Sequence, residues 1–271
     1  VYAMLAPGGA ACDGASDPAW LVSFDAAQLR LAGAAAVANS GAAVSADAAG
    51  NLYFSGGATG PRGATAAVSA TAAGSVGAGA MDGMVVLPDG GAQAPAAHLA
   101  VAADANGNIY LLNRDALGGT QIPRAAVVQE FDAALVAGNA APETAYFQGT
   151  VFFSAANDSM RAYALAGGRL QANPASMTRN VFGNAAAVAI SAKGGAGGIV
   201  WAVEGGSAAV LHAYDATDLS RELYNSTQAS TQATGARDAL GAAGGGIMPV
   251  VANGRVYVVT TGGVAVYGLR Q

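Results

Sequence analysis

The chain repeats itself. A strand that closes on an aromatic residue and a turn recurs at residues 21–26, 160–165, 211–216 and 264–269, with fainter copies at 109–115 and 66–69. Their central residues are Phe24, Val68, Leu112, Tyr163, Tyr214 and Tyr267, separated by 44, 44, 51, 51 and 53 positions. A second pattern precedes several of them: a small loop followed by an alternating apolar strand. It reads Gly50-Asn51-Leu52-Tyr53-Phe54, Gly149-Thr150-Val151-Phe152-Phe153, Gly198-Ile199-Val200-Trp201-Ala202 and Asn253-Gly254-Arg255-Val256-Tyr257-Val258. Blades of four antiparallel strands repeat every ~40–50 residues, whereas helical repeats of that length need two amphipathic helices per unit. Here the apolar period is two, and turns fall roughly every ten to fifteen residues. The 39 glycines also interrupt any helical period. The pattern predicts an all-β β-propeller.

About six blade units are expected, over 1–38, 39–80, 81–138, 139–183, 184–230 and 245–271, within one domain. The first starts at its second strand and the last stops at its third. Because Val1 opens directly into the strand-like run Val1-Tyr2-Ala3-Met4-Leu5, the chain reads as the C-terminal part of a longer one. A strand from upstream is expected to complete the last blade, since an open sheet leaves backbone groups unpaired.

Charge removes several partners. The net charge is −5, charged residues make up 11% of the chain, and Lys193 is its one lysine. Nucleic acid needs a basic footprint, so it is not an expected partner. No apolar run approaches the ~20 residues that cross a bilayer as a helix. With 53% hydrophobic residues the chain is not a disordered one. A surface so poor in charge repels its neighbours weakly, as suits a protein that packs against others.

Several stretches give the chain a family likeness. They include Gly50-Asn51-Leu52-Tyr53, Val85-Val86-Leu87-Pro88-Asp89 and Gly107-Asn108-Ile109-Tyr110-Leu111-Leu112-Asn113-Arg114-Asp115. The longest are residues 210–219 and 249–258. At these positions the chain resembles the bacterial pyrroloquinoline-quinone-like repeat proteins, relatives of the quinoprotein alcohol dehydrogenases. The resemblance implies a propeller exported to the periplasm, the cell surface or beyond. Its enzyme branch clamps the cofactor between a tryptophan and a vicinal disulfide, beside calcium or a lanthanide held by Glu, Asn and Asp. This chain has one cysteine, Cys12, and two tryptophans, Trp20 and Trp201, and Trp201 reads as a blade-packing residue. The expected role is a non-catalytic scaffold, without cofactor, that binds other proteins or copies of itself. The alternatives are a dehydrogenase using pyrroloquinoline quinone with calcium, its site completed by upstream residues, and a carbohydrate-binding propeller.

Two candidate sites stand out. Asn113, Arg114 and Asp115 form the densest polar cluster in a strand-like segment; it either faces a ligand in the central channel or holds a local Arg–Asp pair. Cys12 is a candidate for a disulfide to an upstream segment or another molecule, the other reading being an inert buried thiol. Other motifs read as architecture. Asp104-Ala105-Asn106-Gly107-Asn108 has isoleucine and aspartate where a calcium loop needs glycine and glutamate, so it predicts a hairpin turn, as does the run from Asp47 to Asn51. The glycine runs at 194–198 and 244–246 read as loops, since neither opens a helix as phosphate cradles do. Asn157-Asp158-Ser159 and Asn225-Ser226-Thr227 read as turn chemistry. His98 and His212 appear far apart and without clustered acidic partners, which argues against zinc.

Overall fold

Among the described residues of the computed structural model, strands form every long element, and the helical segments are two three-residue 3₁₀ turns, Arg114–Ala116 and Arg124–Ala126. The structure describes residues 2–5, 19–25, 27–28, 30–37, 45–48, 51–55, 70–73, 81–89, 94–117, 122–138, 142–228, 230–231 and 235–268. The chain divides into two compact units, Val1–Asp104 with Ile109–Glu130, and Ala105–Asn108 with Phe131–Gln271. No helix among the described residues is long and apolar enough to cross a membrane.

In the first unit, β1 (Tyr2–Leu5), β2 (Ala19–Phe24) and β3 (Leu31–Val37) form an antiparallel meander. Next come β4 (Ser45–Ala46), β5 (Leu52–Ser55) and β6 (Ala70–Ala73). The third sheet has four strands in sequence order, β7 (Met81–Val86), β8 (Leu99–Asp104), β9 (Ile109–Asn113) and β10 (Val127–Phe131). Every residue of β8 is buried, because apolar side chains leave it on both faces. Ala100, Ala102, Tyr110 and Leu112 meet Tyr53 and Met84 in one cluster.

The second unit carries β11 (Glu143–Phe147), β12 (Thr150–Ser154), β13 (Arg161–Ala166), β14 (Arg169–Leu170) and β15 (Ser176–Met177) in one sheet. A four-stranded antiparallel sheet follows: β16 (Ala187–Lys193), β17 (Ala196–Glu204), β18 (Val210–Asp215) and β19 (Asp218–Asn225). A short ribbon, β20 (Ser230–Thr231) with β21 (Gly235–Ala236), precedes the last sheet, β22 (Val250–Ala252), β23 (Arg255–Thr260) and β24 (Gly263–Gly268).

Turn chemistry sets these registers. Between β22 and β23, Ala252 faces Arg255, so Asn253 and Gly254 alone make the turn, with φ of 51° and 69°. Two residues at positive φ define a type I′ turn, whose twist matches the strands it joins, and Asn-Gly is its preferred pair. Strand β17 shows why each sheet reads apolar on both faces. Val200 and Ala202 enter one cluster with Phe152, Phe182 and Tyr214. Trp201 and Val203 turn the opposite way, towards Leu211, Val256 and Val258. Successive side chains of a strand alternate in direction, and here each direction meets a neighbouring sheet. Each fully buried Val, Leu or Phe contributes about 1.5–3 kcal/mol relative to exposure.

Four of the repeat positions are equivalent. Leu112, Tyr163, Tyr214 and Tyr267 lie on the third strands β9, β13, β18 and β24, opposite Ala100, Val151, Val200 and Val256. Phe24 lies on β2, opposite Leu31, and Val68 lies outside the described residues.

Three features depart from the sequence reading. Strand β6 runs parallel to β5, Leu52 facing Ala70, where an antiparallel blade is expected. Its residues Ala70-Thr71-Ala72-Ala73 offer no large side chains whose burial would dictate direction or register. The run at 194–198 is a loop only at Gly194 and Gly195, because Lys193 pairs with Ala196 and β17 begins there. Finally, the polar triplet is not within a strand: β9 ends at Asn113, and Arg114 opens a 3₁₀ turn.

Candidate functional site

That turn separates the triplet's side chains. Asn113 Oδ1 accepts from the Asp115 backbone N–H at 3.1 Å. Arg114 folds inward with its side chain 3% exposed. Its Nε donates to the Leu99 carbonyl at 3.0 Å, and its two Nη groups donate to Asp47 Oδ2 at 2.9 Å and Asp89 Oδ1 at 2.8 Å. The guanidinium also lies 5.6 Å from the Tyr53 ring centre. Asp115 turns away to the exposed His98, whose Nδ1 lies 2.9 and 3.0 Å from its carboxylate oxygens. Arg114 therefore ties three separate segments together, and its partner is not the adjacent Asp115.

Asp47 is the centre of this knot. Besides Arg114, it receives the Asn51 backbone N–H at 2.8 Å, the Asn51 amide at 2.9 Å and the Tyr53 hydroxyl at 3.0 Å. Burial pushes its carboxyl up, but the hydrogen bonds from Asn51 and Tyr53 and the Arg114 charge outweigh it and hold the group at about 2. Tyr53 is pushed up by burial. The hairpin between β8 and β9 repeats the device: the Tyr110 hydroxyl donates to Asp104 Oδ2 at 3.0 Å. In both turns an aspartate is followed six residues later by a tyrosine that reaches back to it. The turn reading of these motifs holds, but the tyrosine's part in them was signalled only by its repeated spacing.

A second polar constellation lies wholly in the second unit, around a pocket of about 450 Å³. Strand β18 supplies Tyr214, strand β19 supplies Ser220, Arg221, Glu222 and Leu223, and the segment after β15 supplies Arg179 and Asn180. His212 and Tyr214, two apart on β18, face the same way with rings nearly parallel at 5.9 Å. Glu222 reaches them because it pairs with Tyr214 across the strands. The Tyr214 hydroxyl donates to Asn180 Oδ1 at 2.6 Å and lies 3.2 Å from His212 Nδ1. His212 Nδ1 is 2.7 Å from Glu222 Oε1, and its Nε2 is 3.5 Å from Glu204 Oε2. Burial, then the Glu222 charge, pushes the Tyr214 hydroxyl far above the usual tyrosine range.

Both histidines thus have carboxylate neighbours, contrary to the sequence reading. Strand pairing and the 3₁₀ turn create these contacts, joining His98 to Asp115 and His212 to Glu222 and Glu204 across 17, 10 and 8 residues. Among the described residues no group of three or more His, Cys, Asp and Glu is placed to hold a metal ion. Trp201 packs against the apolar cluster shared with the last sheet, and its Nε1 donates to Ser191 Oγ at 2.8 Å. Asn157 sits in a turn at a φ of 58°, and Asn225, the last residue of β19, accepts at Oδ1 from the Thr227 backbone N–H at 3.1 Å. Cys12 lies outside the described residues.

No family model matches the sequence, and no curated protein matches it. Solved structures do. The computationally designed Ika8 protein is 11% identical at a TM-score of 0.48, over 98% of this chain and 71% of that one. BamB from Moraxella catarrhalis is 12% identical at a TM-score of 0.38, over 93% and 79%. BBS1N, solved in complex with ARL6DN, is 13% identical at a TM-score of 0.42, over 93% and 75%.

Proposed function

We propose that this chain is a non-catalytic β-propeller scaffold that binds other proteins or copies of itself, exported to the periplasm or cell surface. The observation that supports it is the edge of the last sheet, which has room for an added strand, either one from another molecule or the one expected above to complete this blade. Strand β24 pairs with β23 on one side, and among the described residues no strand pairs with its other side. The third strands β9, β13 and β18 each have a fourth strand beside them, and they are largely buried. In β24, by contrast, Val264 is 60% and Val266 51% exposed. The strand Gly263-Val264-Ala265-Val266-Tyr267-Gly268 carries no charge and no proline. Soluble proteins usually blunt such edges with lysine, proline or a bulge, because an open apolar strand templates the pairing of another. The export part of the proposal rests on the likeness of the repeat motifs to those of exported proteins.

Light scattering on the purified chain across a hundredfold range of concentration tests the scaffold reading. The wild-type chain is expected to self-associate through this edge, and the double variant Val264→Lys, Val266→Lys to stay monomeric with its thermal midpoint unchanged. A wild-type chain that stays monomeric throughout would remove the self-assembly reading.

A further inference from the structure

We infer that the pocket between β18, β19 and the segment after β15 binds a small molecule carrying one oxyanion, a carboxylate or a phosphate, together with neutral hydroxyl groups. The inference follows from which hydrogen-bonding groups of the wall are already engaged. Glu222 accepts at both oxygens, Oε1 facing His212 Nδ1 at 2.7 Å and Oε2 receiving the Asn225 amide at 3.1 Å. The Tyr214 hydroxyl is committed to Asn180 Oδ1. Arg221 uses one Nη on Asp215 at 2.8 Å. What remains consists chiefly of donors. Arg179 is exposed and, among the described residues, has no acidic partner. Asn180 Nδ2 is shielded from solvent and, among the described residues, has no acceptor. The remaining N–H groups of Arg221 and the Ser220 hydroxyl complete the wall.

A guanidinium and a neighbouring amide donor match an acceptor-only group, and oxyanions form stronger hydrogen bonds with such donors than neutral hydroxyls do. Glu222 adds direction: its carboxylate disfavours an oxyanion beside it, which assigns the oxyanion to Arg179 and Asn180 and the neutral hydroxyls to the neighbourhood of Glu222. The volume of about 450 Å³ is within the usual range for small-molecule sites and suits a ligand of monosaccharide size. The net charge of −5 opposes anions at long range, so attraction is local to Arg179.

Isothermal titration of the whole chain with glucuronate, inorganic phosphate and glucose tests this. Saturable binding of glucuronate, at least tenfold tighter than glucose and tighter than phosphate, is expected; phosphate binding as tightly as glucuronate would overturn the hydroxyl part of the inference. Arg179→Ala should weaken anion binding at least tenfold without moving the thermal midpoint, Arg179→Lys should retain part of it, and the control Arg169→Ala, on β14, should change nothing. The inference is overturned if neither anion binds saturably, if glucose binds as tightly as glucuronate, or if Arg179→Ala binds like the wild type. These results do not depend on β24, so they stand or fall separately from the scaffold reading.

Discussion

A methyl group at Gly107 would lie 2.1 Å from the Leu135 carbonyl oxygen, at a φ of +84° that side chains rarely adopt. Neither the backbone of residue 135 nor the turn can yield cheaply, so Gly107→Ala is expected to cost about 2–4 kcal/mol, read as a lowered urea midpoint at unchanged slope. Arg114 is a different kind of constraint. Removing it leaves Asp47 without its cation in a half-buried site, and Arg114→Ala is expected to cost about 3–5 kcal/mol. Arg114→Lys should recover little, since one ammonium cannot reproduce a fork that reaches Leu99, Asp47 and Asp89 together. Asp47 also makes the fold acid-sensitive. Its folded value of about 2 is below the usual 3.8 of an aspartate, so its contribution is complete above pH 4 and is lost as the pH falls towards 2. Denaturant titrations between pH 5 and 2 should show that loss in the wild type and a shallower one in Asp47→Asn.

At the scale of the strand, alternation lets one element serve two cores. Val200 and Val203 are both fully buried, yet they belong to different clusters. Each truncation to alanine is expected to cost about 1–3 kcal/mol. Because they share no packing partners, the double variant should equal the sum of the two within about 0.5 kcal/mol; a larger departure would mean that the sheets on either side are coupled through β17. Hairpins with strong turn chemistry were the most legible elements. Asn253-Gly254 announces its own turn, and the apolar alternation after it sets the register of β23. The parallel pairing of β5 with β6 was not legible, because an alanine-rich strand carries no pattern that distinguishes one direction from the other.

At the scale of the molecule, neighbouring sheets stabilise one another. Phe152 of β12 lies in the same cluster as Val188, Val200 and Tyr214 of the following sheet. Phe152→Ala is expected to cost about 3–5 kcal/mol. Hydrogen exchange should then quicken in β16, β17 and β18 as well as in β11 to β13, as in other architectures where each repeat buries its neighbour. Acceleration confined to β11–β13 would show that the sheets open independently.

The period of two and the turn dipeptides, which depend on residues a few positions apart, pointed to the all-β class, and the recurrence of one such local motif every 44–53 residues pointed to the equivalence of Leu112, Tyr163, Tyr214 and Tyr267. Tertiary structure alone decided the partners of the polar groups. Arg114 finds Asp47 across 67 residues and Tyr214 finds Asn180 across 34. Such pairs form only when separate sheets pack together, and no local rule of strand or turn encodes which sheets those will be.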